Sequence, residues 1–270
     1  MKKIKIWKNT SVLDQFNQGL YFTDDKVAAD IILLGSRNIK IEEFTNLKAI
    51  FRAGVGTDNV PINACEKRNI LLEFPSRETR DVLYEETANF TISLMLKMLY
   101  PQPSISIPWK KTHRACLKDK NALIIGTGNI GARVKNKLKL IMQVSTYDAI
   151  NNRESELKSL IEDADIISLH IPNLPENINF IDSRKLKWMK KNAILVNTAR
   201  ADIVNQISLF DQLKQKRIRA AFDVFWDEPY EGILKEFYPE TFYMTPHIAS
   251  SCKEFFLGCR RDLDKMIEKL

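Results

Sequence analysis

A glycine-rich turn set between two short apolar runs constrains this chain more than any other feature. Ala122-Leu123-Ile124-Ile125 reads as a buried strand, and Gly126-Thr127-Gly128-Asn129-Ile130-Gly131 follows at once. A helix-compatible segment then runs to Leu140, and a second strand, Gln143 to Tyr147, ends on Asp148. Strand, glycine turn, helix, strand and acidic residue is the order in which a parallel sheet builds a dinucleotide site. Gly126 permits the tight turn, Gly128 lets the backbone approach a pyrophosphate, and Gly131 lets helix and strand pack closely. The new helix, opened by Asn129 and Ile130, turns its unpaired N–H groups and positive dipole end to the phosphates. Asp148 is placed to accept the 2′- and 3′-hydroxyls of the adenine ribose. A plain glycine turn before an ordinary helix is the alternative, and the full context weighs against it. The motif names a cofactor class and leaves the reaction open.

The rest of the chain repeats the same grammar. Strand candidates before residue 100 are Ile4-Trp7, Asp30-Leu34, Ala49-Ala53 and Ile70-Phe74, with short helices expected over Ile41-Leu47 and Pro61-Arg68. A longer helix is expected from about Asp81 to Leu99, after which Pro101, Pro103 and Pro108 prevent continuation. Further strands are expected at Ala122-Ile125, Val144-Tyr147, Asp165-His170, Ala193-Asn197, Ala220-Asp223 and Phe242-Met244. Short apolar strands alternating with helices imply an α/β protein with parallel sheets. The amphipathic segment Cys252 to Leu270 could return to the N-terminal domain. The expected division is therefore a discontinuous substrate (catalytic) domain, 1–93 plus 252–270, and a dinucleotide-binding Rossmann domain, 94–251.

A length of 270 residues agrees with about two domains. No apolar run approaches the roughly 20 residues of a membrane span. Lys8 and Asn9 interrupt the place where a signal peptide would carry its apolar stretch, so a cytoplasmic protein without membrane partners is expected. Cys65, Cys116, Cys252 and Cys259 have neither CxxC nor metal-ligand spacing, which fits unpaired thiols in a reducing compartment and no metal. The net charge of +7 comes from 41 basic and 34 acidic residues spread along the chain. Local clusters such as Arg184-Lys185-Leu186-Lys187 read as solvated helix faces. Without an aromatic-interleaved basic stripe, no nucleic-acid partner is expected. A small acidic substrate, or a surface bias, explains the charge as well.

Three motifs follow strand ends downstream, where ligands sit in open α/β sheets. They are Val196-Asn197-Thr198-Ala199-Arg200, Ala221-Phe222-Asp223-Val224-Phe225 continuing to Glu228-Pro229, and Thr245-Pro246-His247-Ile248-Ala249. A guanidinium, carboxylates and an imidazole on one side of a nucleotide-binding sheet suit hydride transfer at a carbon beside a carboxylate. Arg200 can hold the substrate carboxylate bidentately and polarise the adjacent carbonyl. His247 can give a proton to the forming alkoxide, or take it during oxidation. Glu228 on the other ring nitrogen would orient the imidazole and favour its protonated form. Asp223 is placed for the nicotinamide end, and Thr198 and His170 for the nucleotide pocket. Each alone has a plainer reading: a surface cation, a turn, a loop histidine. His113 lies in the proline-bounded linker and reads as structural.

These motifs together resemble the D-isomer-specific 2-hydroxyacid dehydrogenases that use NAD. The resemblance spans nearly the whole chain and includes Arg52-Ala53-Gly54-Val55-Gly56-Thr57-Asp58-Asn59-Val60 and Ser168-Leu169-His170-Ile171-Pro172. It implies two Rossmann-like or flavodoxin-like parallel-sheet domains with a cleft between them, and a homodimer. It also implies that Arg200, Glu228 and His247 are catalytic, and that backbone amides of Gly54, Val55 and Gly56 bind the substrate carboxylate. The wording around Arg52 is most similar to the family's phosphoglycerate-oxidising members, in which the matching arginine helps bind a phosphate; Arg37 could add charge there. Formate-oxidising members carry glutamine at the place of Glu228, which counts against formate. Asp148, which would repel a 2′-phosphate, favours NAD over NADP.

The chain departs from the family pattern in places. Ala201 stands where glycine is usual, and a positive φ there would cost roughly 1 kcal/mol and shift Arg200. Arg77 and Arg80 fall in a segment expected as a substrate-side loop of small residues. Pro61 replaces an acidic residue, and the stretch between Trp7 and Asp30 is short. The leading expectation is hydride exchange between NAD and a small anionic D-2-hydroxy or 2-oxo acid, 3-phosphoglycerate-like in class. The rival is an NAD(H)-binding regulatory or corepressor-type protein on the same fold with weak or no turnover.

Overall fold

The computed structural model describes residues 3–100, 104–105, 107–111 and 113–270. They form two compact units, one made of the chain up to Leu83 with Ser250–Leu270, the other of Tyr84–Ala249.

The first unit is built on a five-stranded sheet of β1 (Lys5–Lys8), β2 (Tyr21–Phe22), β3 (Ile31–Leu34), β4 (Ala49–Arg52) and β5 (Leu71–Glu73). The spatial order is β2-β1-β3-β4-β5 with every pair parallel. Strands β3 and β4 are buried at every position, which is why both read as unbroken apolar runs. Helix α1 (Ile62–Lys67) follows Pro61, whose carbonyl accepts from the amides of Ala64 and Cys65. The segment Ile41-Leu47 forms only a 3-10 turn, Ile41–Glu43, and the Asn46 side chain beyond it bonds to the Val27 carbonyl.

Helix α2 (Arg77–Leu99) begins four residues earlier than its sequence suggested. The Ser76 hydroxyl accepts from the Thr79 amide and caps it, so Arg77 and Arg80 are exposed residues of its first turn rather than members of a loop. The last helix, α7 (Lys253–Ile267), buries Phe255, Cys259, Leu263 and Met266 at helical spacing. Its Asp262 carboxylate accepts from the Ser76 amide at 2.8 Å and the Thr79 hydroxyl at 2.8 Å, tying the end of the chain to the start of α2. Gly258 lets the two helices meet: a Cβ there would lie 2.6 Å from Thr79 Oγ1.

The second unit carries β8 (Asn121–Ile125), β9 (Gln143–Tyr147), β10 (Ile166–Leu169), β11 (Ile194–Asn197), β12 (Arg219–Phe222) and β13 (Phe242–Met244), all parallel. A short antiparallel hairpin, β6 (Ser104–Ile105) and β7 (Lys110–Lys111), precedes them with Pro108 at its turn, whereas Pro101 and Pro103 lie outside the described residues. Helices α3 (Asn129–Leu138), α4 (Glu154–Asp163), α5 (Ser183–Trp188) and α6 (Gln206–Lys214) alternate with the strands. Successive strand residues divide between two apolar clusters. Leu123, Ile125, Ile167, Leu169, Leu195 and Phe222 join one, while Ala122, Ile124, Ile166, Ile194, Val196 and Ala221 join the other. The sheet is therefore covered on both faces, and each fully buried Leu or Ile contributes roughly 1.5–3 kcal/mol.

The order β13-β12-β11-β10-β8-β9 reverses direction between β8 and β10. In open α/β sheets ligands bind at such a switch point, beyond the carboxyl ends of the strands. The basic cluster on α5 is less solvated than its sequence implied. Lys185 is buried, with Nζ 3.4 Å from the Asp182 carboxylate and over the Phe180 ring. Among the described residues no helix is long and apolar enough to cross a membrane.

Candidate active site

The glycine turn occupies the switch point. Gly126 takes φ +91°, and a Cβ there would lie 2.5 Å from the His170 carbonyl oxygen at the end of the neighbouring strand β10. A Cβ at Gly131 would overlap the Gly126 carbonyl oxygen, so α3 can approach β8 only with glycine there. Gly128 caps α3 and faces open space, followed by exposed Asn129 and half-buried Ile130. The helix N-terminus at Gly128 is thus open to approach, as phosphate binding at a helix start requires. His170 is neutral there: burial pushes its imidazole down to about 4, and Nε2 lies 2.9 Å from the Ser168 hydroxyl.

Asp148 follows β9 immediately, level with Gly126 because Ile125 pairs with Tyr147. Its Oδ2 accepts from the Thr127 amide at 2.8 Å and the Thr127 hydroxyl at 2.7 Å, and Oδ1 from the Ile150 amide at 3.2 Å. The two Thr127 bonds outweigh partial burial and hold the carboxyl below its ordinary range. Arg153 is an exposed residue at the start of α4.

Three loops at the ends of β11, β12 and β13 are fixed by side-chain bonds to backbone. Asn197, fully buried, donates to the Arg200 carbonyl and accepts from the Ala199 amide, which sets the turn that carries Arg200. Arg200 is half-buried with Nη1 2.8 Å from the Ala199 carbonyl, and its charge acts on Glu228. Ala201 opens a 3-10 turn and is not among the left-handed residues, so alanine there carries no strain. The buried Thr198 hydroxyl lies 2.8 Å from the Thr91 hydroxyl of α2.

Asp223 is fully buried, and burial raises its carboxyl despite three acceptor bonds. Those bonds come from the Thr245 hydroxyl at 2.6 Å, the Ile248 amide at 2.9 Å and the Ala249 amide at 2.8 Å. They clamp both flanks of His247, which is held at φ +54°, a left-handed conformation that costs a β-carbon residue energy. The His247 Nδ1 lies 2.9 Å from each carboxylate oxygen of Glu228. Burial alone would raise Glu228. The bond and charge of His247, the Phe225 amide and the Arg200 charge together hold it below its ordinary value.

These features coincide with a family assignment. The profile described as "D-isomer specific 2-hydroxyacid dehydrogenase, NAD binding domain" matches residues 106–249, and that of the same family's catalytic domain matches residues 28–91. The chain belongs to the D-isomer specific 2-hydroxyacid dehydrogenase family. It is 33% identical over 233 residues to D-3-phosphoglycerate dehydrogenase of Archaeoglobus fulgidus, a match covering 79% of this chain but 43% of that protein. It is 31% identical over 241 residues to glyoxylate reductase of Thermococcus litoralis, covering 79% of this chain and 71% of that protein. The chain thus spans under half the length of the phosphoglycerate dehydrogenase it matches. Among solved structures, D-lactate dehydrogenase of Aquifex aeolicus, complexed with NAD and lactic acid, superposes with a TM-score of 0.79 at 20% identity. That match covers 98% of this chain and 94% of the other.

The remaining candidates of this family member lie in the first unit. Arg52 is buried at 4% exposure and folds under its own loop, donating to the Gly56 carbonyl at 3.0 Å and the Leu34 carbonyl at 3.3 Å. A Cβ on Gly54 would sit 2.6 Å from Arg52 Nη1, so any larger residue there must displace the guanidinium. The Gly54 amide donates to the Arg52 carbonyl at 2.8 Å, while Val55 and Gly56 are half-buried. Arg37 is exposed, with Nη2 3.2 Å from the Asn9 carbonyl. Buried Asn59 donates to the carbonyls of Gly35 and Arg37, bracing that loop. Sequence reasoning passed over Thr127, Asn197, Asn59 and Thr245 as site residues. The signal for Thr127 was its place between two glycines, one register step past the pairing that brings β8 level with Asp148.

Proposed function

We propose that this chain is an NAD-dependent oxidoreductase that moves a hydride between nicotinamide and C2 of a small D-2-hydroxy or 2-oxo acid. The observation that carries the reading is the His247 imidazole held through Nδ1 on Glu228, with the Arg200 charge acting on that carboxylate, at the same strand-end side of a sheet that carries an NAD-binding turn. With Nδ1–H donated to Glu228, Nε2 is the atom left to exchange a proton with the substrate oxygen. Arg200 binds the substrate carboxylate and polarises the carbonyl. NAD held by the second unit would supply or accept the hydride. In reduction C2 gains the hydride, the carbonyl π pair moves to oxygen, and His247 delivers the proton that makes the hydroxyl. Asp223 holds the His247 loop near the nicotinamide end, with Thr198 and His170 lining that pocket and Gly126, Gly128, Asn129, Ile130, Gly131 and Asp148 holding the rest of the dinucleotide.

Backbone amides of Val55 and Gly56 complete carboxylate binding, the Gly54 amide being spent on the Arg52 carbonyl, and Arg52 serves by fixing that loop from beneath. Arg37 is then the exposed cation available to a phosphate, so a phosphorylated substrate depends on it. Steady-state NADH oxidation against glyoxylate, hydroxypyruvate and the 2-oxo acid of 3-phosphoglycerate tests the reading. Turnover is expected, and Arg37→Ser raises KM for the phosphorylated acid alone. Tight NADH binding with no turnover on any 2-oxo acid would favour the regulatory, corepressor-type alternative.

A homodimer in a cytoplasmic setting is the matching proposal. The turn of the β6–β7 hairpin presents Ile107 and Trp109 at 89% and 82% exposure, an apolar tip suited to a second copy of the chain. Sedimentation equilibrium should give twice the chain mass for the parent and a monomer for Trp109→Glu.

A further inference from the structure

Asp148 has one acceptor position to spare. An ionised carboxylate offers about four lone-pair sites, two on each oxygen. Both sites of Oδ2 are taken by Thr127, one by its amide and one by its hydroxyl, and one site of Oδ1 is taken by the Ile150 amide. The carboxylate is also fixed in place from its own backbone. The Asp148 amide donates to Asn152 Oδ1 at 2.9 Å, and its carbonyl accepts from the amides of Asn151 and Asn152. Asp148 as arranged can therefore accept one ribose hydroxyl, and the adenine ribose of NAD carries two. The second acceptor stands next to it. The Thr127 hydroxyl spends its only hydrogen on Asp148 and keeps its oxygen lone pairs. Thr127 is half-buried and sits in the turn between Gly126 and exposed Gly128, where a nucleotide must pass.

We propose that Thr127 is a second ribose-reading residue, so that the diol is recognised by a pair, Asp148 Oδ1 and Thr127 Oγ1, rather than by the two oxygens of Asp148. This inference rests on NAD being the cofactor. It adds a discriminating element to the site. The hydroxyl that accepts from the ribose is the one whose donation keeps Asp148 ionised and oriented, so the charge that repels a 2′-phosphate and the oxygen that reads the diol are coupled. The depressed Asp148 carboxyl agrees with that coupling. A valine at 127 keeps the backbone amide bond and the β-branched shape and removes only the hydroxyl.

The test is the dissociation constant for NADH and for NADPH, read by nucleotide fluorescence, with the melting temperature of each protein recorded. The parent, Thr127→Ser, Thr127→Val and Asp148→Asn are compared. Thr127→Val should weaken NADH about tenfold while NADPH changes less than about twofold, so the NADH/NADPH preference falls; Thr127→Ser should restore it. NADH affinity unchanged in Thr127→Val would overturn the proposal, as would equal weakening of both nucleotides with a lowered melting temperature. A parent protein that binds neither nucleotide would overturn the NAD reading itself and this inference with it.

Discussion

The two units stack parallel strands in closely related orders yet differ in the side chains that fix their ligand-side loops. In the nucleotide unit the loops are held by carboxylates: Asp148, Asp223 and Glu228 accept from amides, hydroxyls and an imidazole. In the first unit the loops after β3 and β4 are braced largely by donors: Arg52 and Asn59 give their hydrogens to the carbonyls of Leu34, Gly35, Arg37 and Gly56, while Asn9 and Asp262 accept from the Gly35 and Ser76 amides. Carboxylates that consume amides hold a histidine in a strained, ready position. Donors that consume carbonyls leave a loop whose remaining amides can meet an anion. The difference places the carboxylates that hold a histidine in one unit and a buried guanidinium brace in the other.

The comparison breaks hardest at His247. His247→Asn keeps a residue that tolerates the left-handed backbone and loses the proton carrier. NADH oxidation should fall by about 10³-fold, while NADH affinity measured by fluorescence stays within about twofold. A fall in affinity of the same size would mean that the loop and not the proton is what His247 supplies.

Arg52 tests the other unit. Arg52→Met retains bulk but removes the donors to the half-buried Gly56 carbonyl and to the Leu34 carbonyl, which keeps its bond from the Ala53 amide, and should cost about 1–3 kcal/mol in denaturant melts. KM for the oxo acid should rise with kcat little changed, and nucleotide affinity should stay at the parent value. An unaltered melting curve would remove Arg52 from its scaffolding role.

The smallest effect is the acid limb of stability. His170, about 4 in the folded protein against an ordinary 6.5, must bind its proton on unfolding. Stability is therefore full above about 6.5 and declines as pH falls toward 4, by about 1–2 kcal/mol at pH 5. The Glu228 carboxyl, held below 4.5, adds stability that is present above that value and lost as pH drops through its folded value. Urea melts between pH 7.5 and 5 should slope accordingly, and His170→Asn should flatten the first part of that slope. A slope that His170→Asn leaves unchanged would assign the limb to other groups.

Most strands were legible because strands buried on both faces, such as Ile31–Leu34 and Ile194–Asn197, announce themselves as apolar runs. Tyr21–Phe22 was not: two residues on a sheet edge, one of them exposed, carry no such run. Glu228 and His247 could be picked out as strand-end residues of complementary chemistry. The direction of long side chains could not. Arg52 turning under its own loop, Lys185 lying buried over Phe180, and Arg77 riding the first turn of α2 all depend on what surrounds them. Thr127 was overlooked for a related reason: in a glycine motif the residues between the glycines read as spacers until their hydrogen bonds are seen, here from the Thr127 amide and hydroxyl to the acid.

The clamp from Asp262 to Ser76 and Thr79 joins positions separated by 186 and 183 residues. During synthesis Tyr84–Ala249 can close on itself as a continuous segment, whereas the earlier-made first unit must wait for α7 to leave the ribosome. The part translated first is thus completed only after the nucleotide unit has been made, and a chain cut before Ser250 would carry the whole of Tyr84–Ala249 with a first unit still missing α7.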